Sequence, residues 1–292
     1  MPDRKPVGLI GIGLLGQALA HRLLGAGFEV NGFDVDAAKN ARLAELGGRA
    51  AAVADVAKRC DPIVLAVFST DQVEQVIEGE LLPVLGDGSG RIVLCASTCD
   101  PDRIAALGER VAARGLRLLE TPVSGASGQV SRGEGVGLIG GDPRVASEVE
   151  PILRALFPTY FHIGRIGDGG RAKLAVNLVL GLNRLALAEG LVFAERLGLD
   201  PAAFLNVVRS SAAYSQVMDI KGAKMTGGEF SAEGRIIQHL KDVHLMLEQA
   251  ERVKQKLALL EVHADVLEAC VRQGEGDLDN SAVIKEIRRR TA

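Results

Sequence analysis

Across the first 164 residues, short apolar runs rich in β-formers alternate with amphipathic stretches, the texture of parallel strands joined by helices. Strands are predicted at 7–10, 29–33, 62–67, 91–96, 116–121, 135–139 and 160–163. Beyond Gly169-Gly170 the texture changes. Ala, Leu, Val, Glu and Arg dominate from Arg171 to Leu197, with no proline and only Gly181 and Gly190 as glycines. The spacing predicts one long helix, whose 27 residues would reach roughly 40 Å at 1.5 Å per residue, long enough to leave one domain and enter the next. Further helices are predicted at 201–210, about 215–225, 238–270 with a break near Lys254, and 281–289. The expected fold class is therefore α/β, with an α/β domain over 1–164 followed by an all-α domain over 165–292 that begins with the long helix.

Composition narrows the function classes. The 292 residues are 47% hydrophobic and 24% charged with a net charge of −3, which fits neither a disordered chain nor a nucleic-acid binder. Aromatic residues are 3% with no Trp, whereas Gly numbers 35, so turns and backbone contacts are favoured over stacking platforms. The N-terminal residues Met1 to Pro6 lead only into the short apolar run 7–10, so a cytoplasmic protein with no membrane partner is expected. Cys60, Cys95, Cys99 and Cys270 lack zinc-site spacing and read as free thiols. The five histidines show no mutual spacing for a metal, so none is expected.

The first predicted strand runs straight into Gly11-Ile12-Gly13-Leu14-Leu15-Gly16, and helical spacing follows until Gly25-Ala26-Gly27. This is G-x-G-x-x-G in its strand-to-helix setting. Gly11 permits the sharp turn, Gly13 lets a pyrophosphate approach the backbone, and Gly16 allows close packing of helix on strand. The helix N-terminus adds amide donors and a positive dipole end. The second strand ends at Asp34, 18 residues beyond Gly16, where a carboxylate can bind ribose hydroxyls and would repel a 2′-phosphate. A Rossmann-type dinucleotide-binding domain follows, with NAD favoured. NADP is not excluded, since Lys39 or Arg42 stands near enough in sequence to relax the choice.

Four separated stretches, in order, resemble the β-hydroxyacid dehydrogenase family, the 3-hydroxyisobutyrate dehydrogenase-like enzymes related to 6-phosphogluconate dehydrogenase. They are the glycine turn, Glu120-Thr121-Pro122-Val123-Ser124-Gly125-Ala126, Gly164 to Lys173 with Asn177, and Lys241-Asp242-Val243-His244-Leu245. The resemblance covers nearly the whole chain. It implies that Ser124, Gly125 and Ala126 bind a substrate carboxylate, with Glu120 where the family has Asp and Ala126 where it has Gly. It implies that Lys173 is the general acid/base and Asn177 a substrate contact one helical turn away, Val176 replacing the first of the family's two Asn. Thr98, after the strand at 91–96, is implied to lie beside the nicotinamide ribose, and Lys241 against the cofactor.

The implied activity is transfer of hydride between NAD(P) and a small 3-hydroxy carboxylate or its semialdehyde, of the 3-hydroxyisobutyrate, tartronate semialdehyde or threonate type. The expected site is a cleft between the two domains. A lysine suits the proton exchange that accompanies hydride transfer, provided that desolvation and a neighbouring positive charge depress its pKa from about 10.4. Two alternatives stand beside this one: a non-catalytic dinucleotide-binding or redox-sensing protein, which the intact Lys173 and Asn177 disfavour, and an imine reductase, which Lys173 and Ser124 disfavour. Twelve Ala, Leu or Val residues among 174–191 exceed what one buried helix stripe needs, so a homodimer or homotetramer is expected.

Overall fold

The computed structural model describes residues 5–291, which form two compact units dividing between Lys173 and Leu174. The first unit is built on nine strands: β1 (Val7–Ile10), β2 (Val30–Phe33), β3 (Arg49–Ala50), β4 (Ile63–Leu65), β5 (Ile92–Cys95), β6 (Arg117–Glu120), β7 (Val123–Ser124), β8 (Val136–Gly140) and β9 (Thr159–Gly164). Their order is β3-β2-β1-β4-β5-β6-β8-β7, with β9 also on β8. All pairs from β3 to β6 are parallel. The chain moves outward from β1 through β2 to β3 and then returns to β4 on the other side of β1. That reversal makes the carboxyl end of β1 a topological switch point, where ligands of such sheets bind.

The alternation of strand residues separates two cores. Val7 and Leu9 of β1 and Leu94 of β5 join Leu19 and Leu23 on one face, while Ile10, Val93 and Cys95 join Ile63, Ile104 and Leu107 on the other. Side chains at i and i+2 share a face, so both faces are apolar, as a sheet covered by helices requires.

The seven predicted strands are present within two residues at each end, and two further short strands, β3 and β7, were not predicted. A two-residue strand is too short for a period to register. The sheet also departs from the all-parallel expectation. The end of β6 and all of β7 pair antiparallel with β8, because the eleven residues 125–135 between β7 and β8 are fewer than a parallel crossover needs.

The second unit is helical. It holds most of the long helix Asp168–Arg196, then helices Pro201–Arg209, Val217–Gly227, Ile236–Arg252, Ala258–Arg272 and Val283–Arg289. Its core gathers Leu174, Leu185, Leu191, Leu205, Val243, Met246, Leu267 and Ile284. The predicted 238–270 helix begins two residues early and is broken at Lys254, which has φ +56, so Lys241 lies in its second turn. By length and composition the long helix would also span a bilayer, with a mean hydropathy of 1.4 over 18 residues. Its apolar side chains Leu174, Leu185, Leu187 and Leu191 are instead buried in this core.

Candidate active site

The glycine turn follows β1 at the switch point. Gly11 has φ +91, and a Cβ there would lie 2.5 Å from the Ala66 carbonyl oxygen; only glycine meets both conditions. A Cβ on Gly16 would run into the Gly11 carbonyl oxygen, whereas one on Gly13 would meet nothing within 4 Å. Gly13 is the N-cap of the helix Leu14–Gly25 and offers no side-chain acceptor to its opening amides. This donor set fits a pyrophosphate.

Asp34 is buried, and its carboxylate is tied into the turn. Oδ2 accepts the Ile12 amide at 2.7 Å, and Oδ1 accepts the Asp36 amide at 2.9 Å. Of the two cations nearest in sequence, Lys39 stands at Asp34 itself, its Nζ 3.4 Å from Asp34 and 3.9 Å from Asp36, whereas Arg42 pairs with Glu45 at 2.6 Å. After β5, Ser97 Oγ donates to the Val67 carbonyl at 2.8 Å, which locks the loops that follow β4 and β5 together. Thr98 is half-buried on that loop, at the same sheet edge as the glycine turn because β1, β4 and β5 run parallel.

The Ser124–Ala126 loop lies beyond β6. Ser124 pairs with Val136, and Gly125 bends the chain away from β8 with φ +142. The Ala126 amide donates to Gln129 Oε1 at 3.0 Å, so within this loop that amide serves the turn. Lys173 is 8% exposed, and its Nζ donates to the Val123 carbonyl at 2.7 Å, one residue before Ser124. The first unit thus brings the glycine turn, Thr98, the Ser124 loop and Lys173 to the carboxyl side of one sheet.

In the second unit, Asn177 Nδ2 donates to Asp242 Oδ2 at 3.0 Å, and Lys241 Nζ sits 2.9 Å from the other carboxylate oxygen. Asp242 therefore joins two predicted residues, a role that sequence reasoning missed. A signal was present: 236, 239, 243, 246 and 250 form the buried stripe of this helix, and 242 falls on its flank. Further buried polar groups lie in this unit. His239 and His263 meet with Nε2 atoms 3.0 Å apart, although 24 residues separate them in sequence. Burial and the nearby Arg184 guanidinium hold His263 down to about 3. Burial likewise lowers Arg184 to about 10, opposed by Asp279. Among the described residues no group of three or more His, Cys, Asp or Glu is arranged to hold a metal.

Two family models match the chain. One, described as the NAD binding domain of 6-phosphogluconate dehydrogenase, covers residues 6–164. The other, described as the NAD-binding of NADP-dependent 3-hydroxyisobutyrate dehydrogenase, covers 167–287. The L-threonate dehydrogenase of Cupriavidus necator is 30% identical over 96% of this chain and 95% of its own. The 2-hydroxy-3-oxopropionate reductase of Escherichia coli is 28% identical over 96% of each. A crystal structure of 3-hydroxyisobutyrate dehydrogenase from Salmonella typhimurium superposes with a TM-score of 0.88 at 26% identity, covering 97% of this chain and 99% of that one. An imine reductase from Pseudomonas sp., at 18% identity and TM-score 0.66 over 98% of this chain and 100% of its own, shares the fold alone.

Proposed function

The chain belongs to the β-hydroxyacid dehydrogenase family, the 3-hydroxyisobutyrate dehydrogenase-like enzymes related to 6-phosphogluconate dehydrogenase, and from that premise we propose that it interconverts a small 3-hydroxy carboxylate and its 3-oxo partner with NAD. The observation that carries this reading is the buried amine of Lys173 on the Val123 carbonyl, next to Ser124. Residues Gly11 to Gly16 and Asp34 would hold the dinucleotide, with Thr98 and Lys241 as further contacts. When bound, the nicotinamide supplies the hydride acceptor or donor.

The chain's own residues supply the rest. The Ser124 hydroxyl and the Gly125 amide bind the substrate carboxylate, since charge-assisted bonds from a small loop fix an anion's position. Asn177, its amide group steadied by Asp242, orients the substrate hydroxyl. Lys173 takes the hydroxyl proton as the carbon gives up its hydrogen, and returns it in the reductive direction. The relatives named for threonate and 2-hydroxy-3-oxopropionate support small hydroxylated C3 and C4 carboxylates as the substrate class.

NAD is proposed over NADP because the Asp34 carboxylate stands at the glycine turn, where it would meet ribose hydroxyls and repel a 2′-phosphate, while Lys39 is paired with Asp34 itself and Arg42 with Glu45. We also propose that the protein works in the cytoplasm, where its four buried free thiols would stay reduced. A second copy is proposed to cover apolar side chains left exposed on the long helix, Val179 and Phe193 at 59% and 66% among them.

A spectrophotometric panel of 3-hydroxyacids and semialdehydes with both cofactors identifies the substrate. On the best of them, Lys173→Ala is expected to retain NADH binding and to lose about 10²- to 10⁴-fold in kcat, the range for loss of a positioned acid/base. An unchanged rate would remove the assigned role.

A further inference from the structure

Glu120 ends β6 with a carboxyl group that is 3% exposed and turned into the start of the long helix. Oε2 accepts the Gly167 amide, Oε1 accepts the Gly170 amide at 3.0 Å, and the Gly169 amide adds a third donor. Three opening amides of a helix, which have no partner within the helix itself, are thus satisfied by one side chain.

The socket is shaped for this side chain. A Cβ on Gly140 would lie 2.6 Å from Glu120 Oε2 and one on Gly170 2.9 Å from Oε1, while one on Gly169 would strike the Leu138 carbonyl oxygen at 2.8 Å. Glycine at 140 and 170 leaves room for a carboxylate one methylene longer than aspartate, and glycine at 169 lets the helix start close against β8. The clustering of glycines around Asp168 in the sequence thereby receives a physical reason.

Three residues after Glu120, the Val123 carbonyl accepts Lys173 Nζ. One short segment, 120–123, therefore grips the helix twice, at its opening amides and at the Lys173 amine. Slipping a helix by one residue turns each side chain by about 100° and moves it 1.5 Å, which would carry the amine away from Ser124.

We propose that Glu120 is a positioning residue for the reaction: bound to the amides of Gly167, Gly169 and Gly170, it sets the start and rotation of the long helix and so places the Lys173 amine beside the Ser124 loop. This rests on the reading of Lys173 as the proton-exchanging group. The anchor is also sensitive to protonation, because burial pushes Glu120 up to about 7 against the pull of its three amides. The charged and titratable groups around it are Arg171 on the long helix and Cys95 on β5. Arg171 is itself paired with Asp168 and with Asp102 of the helix Pro101–Ala112, and β8 offers Gly140. A protonated carboxyl loses an acceptor site, so the grip weakens as pH falls through 7.

The test uses the full-length protein with Glu120→Gln, Glu120→Asp and Gly140→Ala, the last reaching the same carboxyl from β8. Three quantities are read: kcat on the best hydroxyacid from pH 5.5 to 9, NADH affinity by fluorescence titration, and the acetylation rate of Lys173 by acetic anhydride across pH 6 to 11, followed by peptide mass spectrometry. Glu120→Gln and Gly140→Ala should each lower kcat at least about ten-fold, since small misplacements of a reacting group are costly. NADH affinity should stay within about two-fold, because the glycine turn lies three strand spacings, about 14 Å, away. Lys173 should acetylate several-fold faster relative to the other lysines as its amine leaves the Val123 carbonyl. Glu120→Asp should recover part of both losses, and the wild-type bend in kcat near pH 7 should vanish in Glu120→Gln.

A Glu120→Gln protein with kcat and Lys173 acetylation both within two-fold of wild type overturns the assignment. If one variant does not fold, the other decides. If wild type turns over no hydroxyacid, the functional reading fails while the acetylation arm still decides the positioning role.

Discussion

Asp34 illustrates how one side chain serves both structure and ligand. Its Oδ2 bond to the Ile12 amide ties the end of β2 to the glycine turn, so the residue proposed to meet the ribose also holds that turn in shape. Asp34→Ala is expected to weaken NADH binding at least about ten-fold, since a bond to a charged acceptor contributes about 1.5–3 kcal/mol, and fluorescence titration checks it. Position 263 carries a different kind of constraint. Its pKa is lowered to about 3 from 6.5 by burial and by Arg184, so the folded state binds fewer protons than the unfolded chain between those values. The stability it contributes is present above pH 6.5 and is lost as pH falls toward 3, to an extent of several kcal/mol at about 1.4 kcal/mol per unit. Denaturant titrations at pH 7, 5.5 and 4 should show a steep decline that is shallower in His263→Gln.

At the scale of elements, the long helix keeps two glycines that helix propensity alone would replace. They are not equivalent. A Cβ on Gly181 would sit 2.6 Å from His239 Nε2 and 3.0 Å from His263 Nε2, whereas one on Gly190 would meet only Phe204, at 4.0 Å. Gly181→Ala should therefore lower Tm by several degrees despite the better helix former, because it pries apart the paired imidazoles. Gly190→Ala should raise stability by up to about 1 kcal/mol, the propensity difference between Gly and Ala. Thermal denaturation of the two variants side by side checks both, and equal behaviour would show that the histidine contact does not limit residue size at 181.

The whole molecule carries apolar surface that its own cores leave uncovered. Val179 and Phe193 on the long helix, Leu197 just past its end, and Leu259 and Val262 on the Ala258–Arg272 helix are each more than half exposed. For the proposed oligomer, light scattering should report two or four times the 30.7 kDa of one chain, and Phe193→Glu with Leu197→Glu should shift that mass toward the monomer. A wild-type monomer at micromolar concentration would remove the proposal.

Much of this architecture was legible in the order of residues alone. The strand-and-helix alternation, the glycine turn after β1, the long proline-free helix and the break at Lys254 follow from short-range rules: side-chain period, backbone freedom and helix ends act over a few residues, and a sequence displays them directly. Lys173 and Asn177, one turn apart on a helix, could be paired for the same reason. The partners of the site could not be read this way. Asp34 meets Ile12 across 22 residues, Glu120 meets Gly167 across 47, His239 meets His263 across 24 and Asn177 meets Asp242 across 65. Those meetings depend on which strands lie side by side and how helices rotate as their apolar faces pack, and only the folded chain, satisfying its buried polar groups together, selects them.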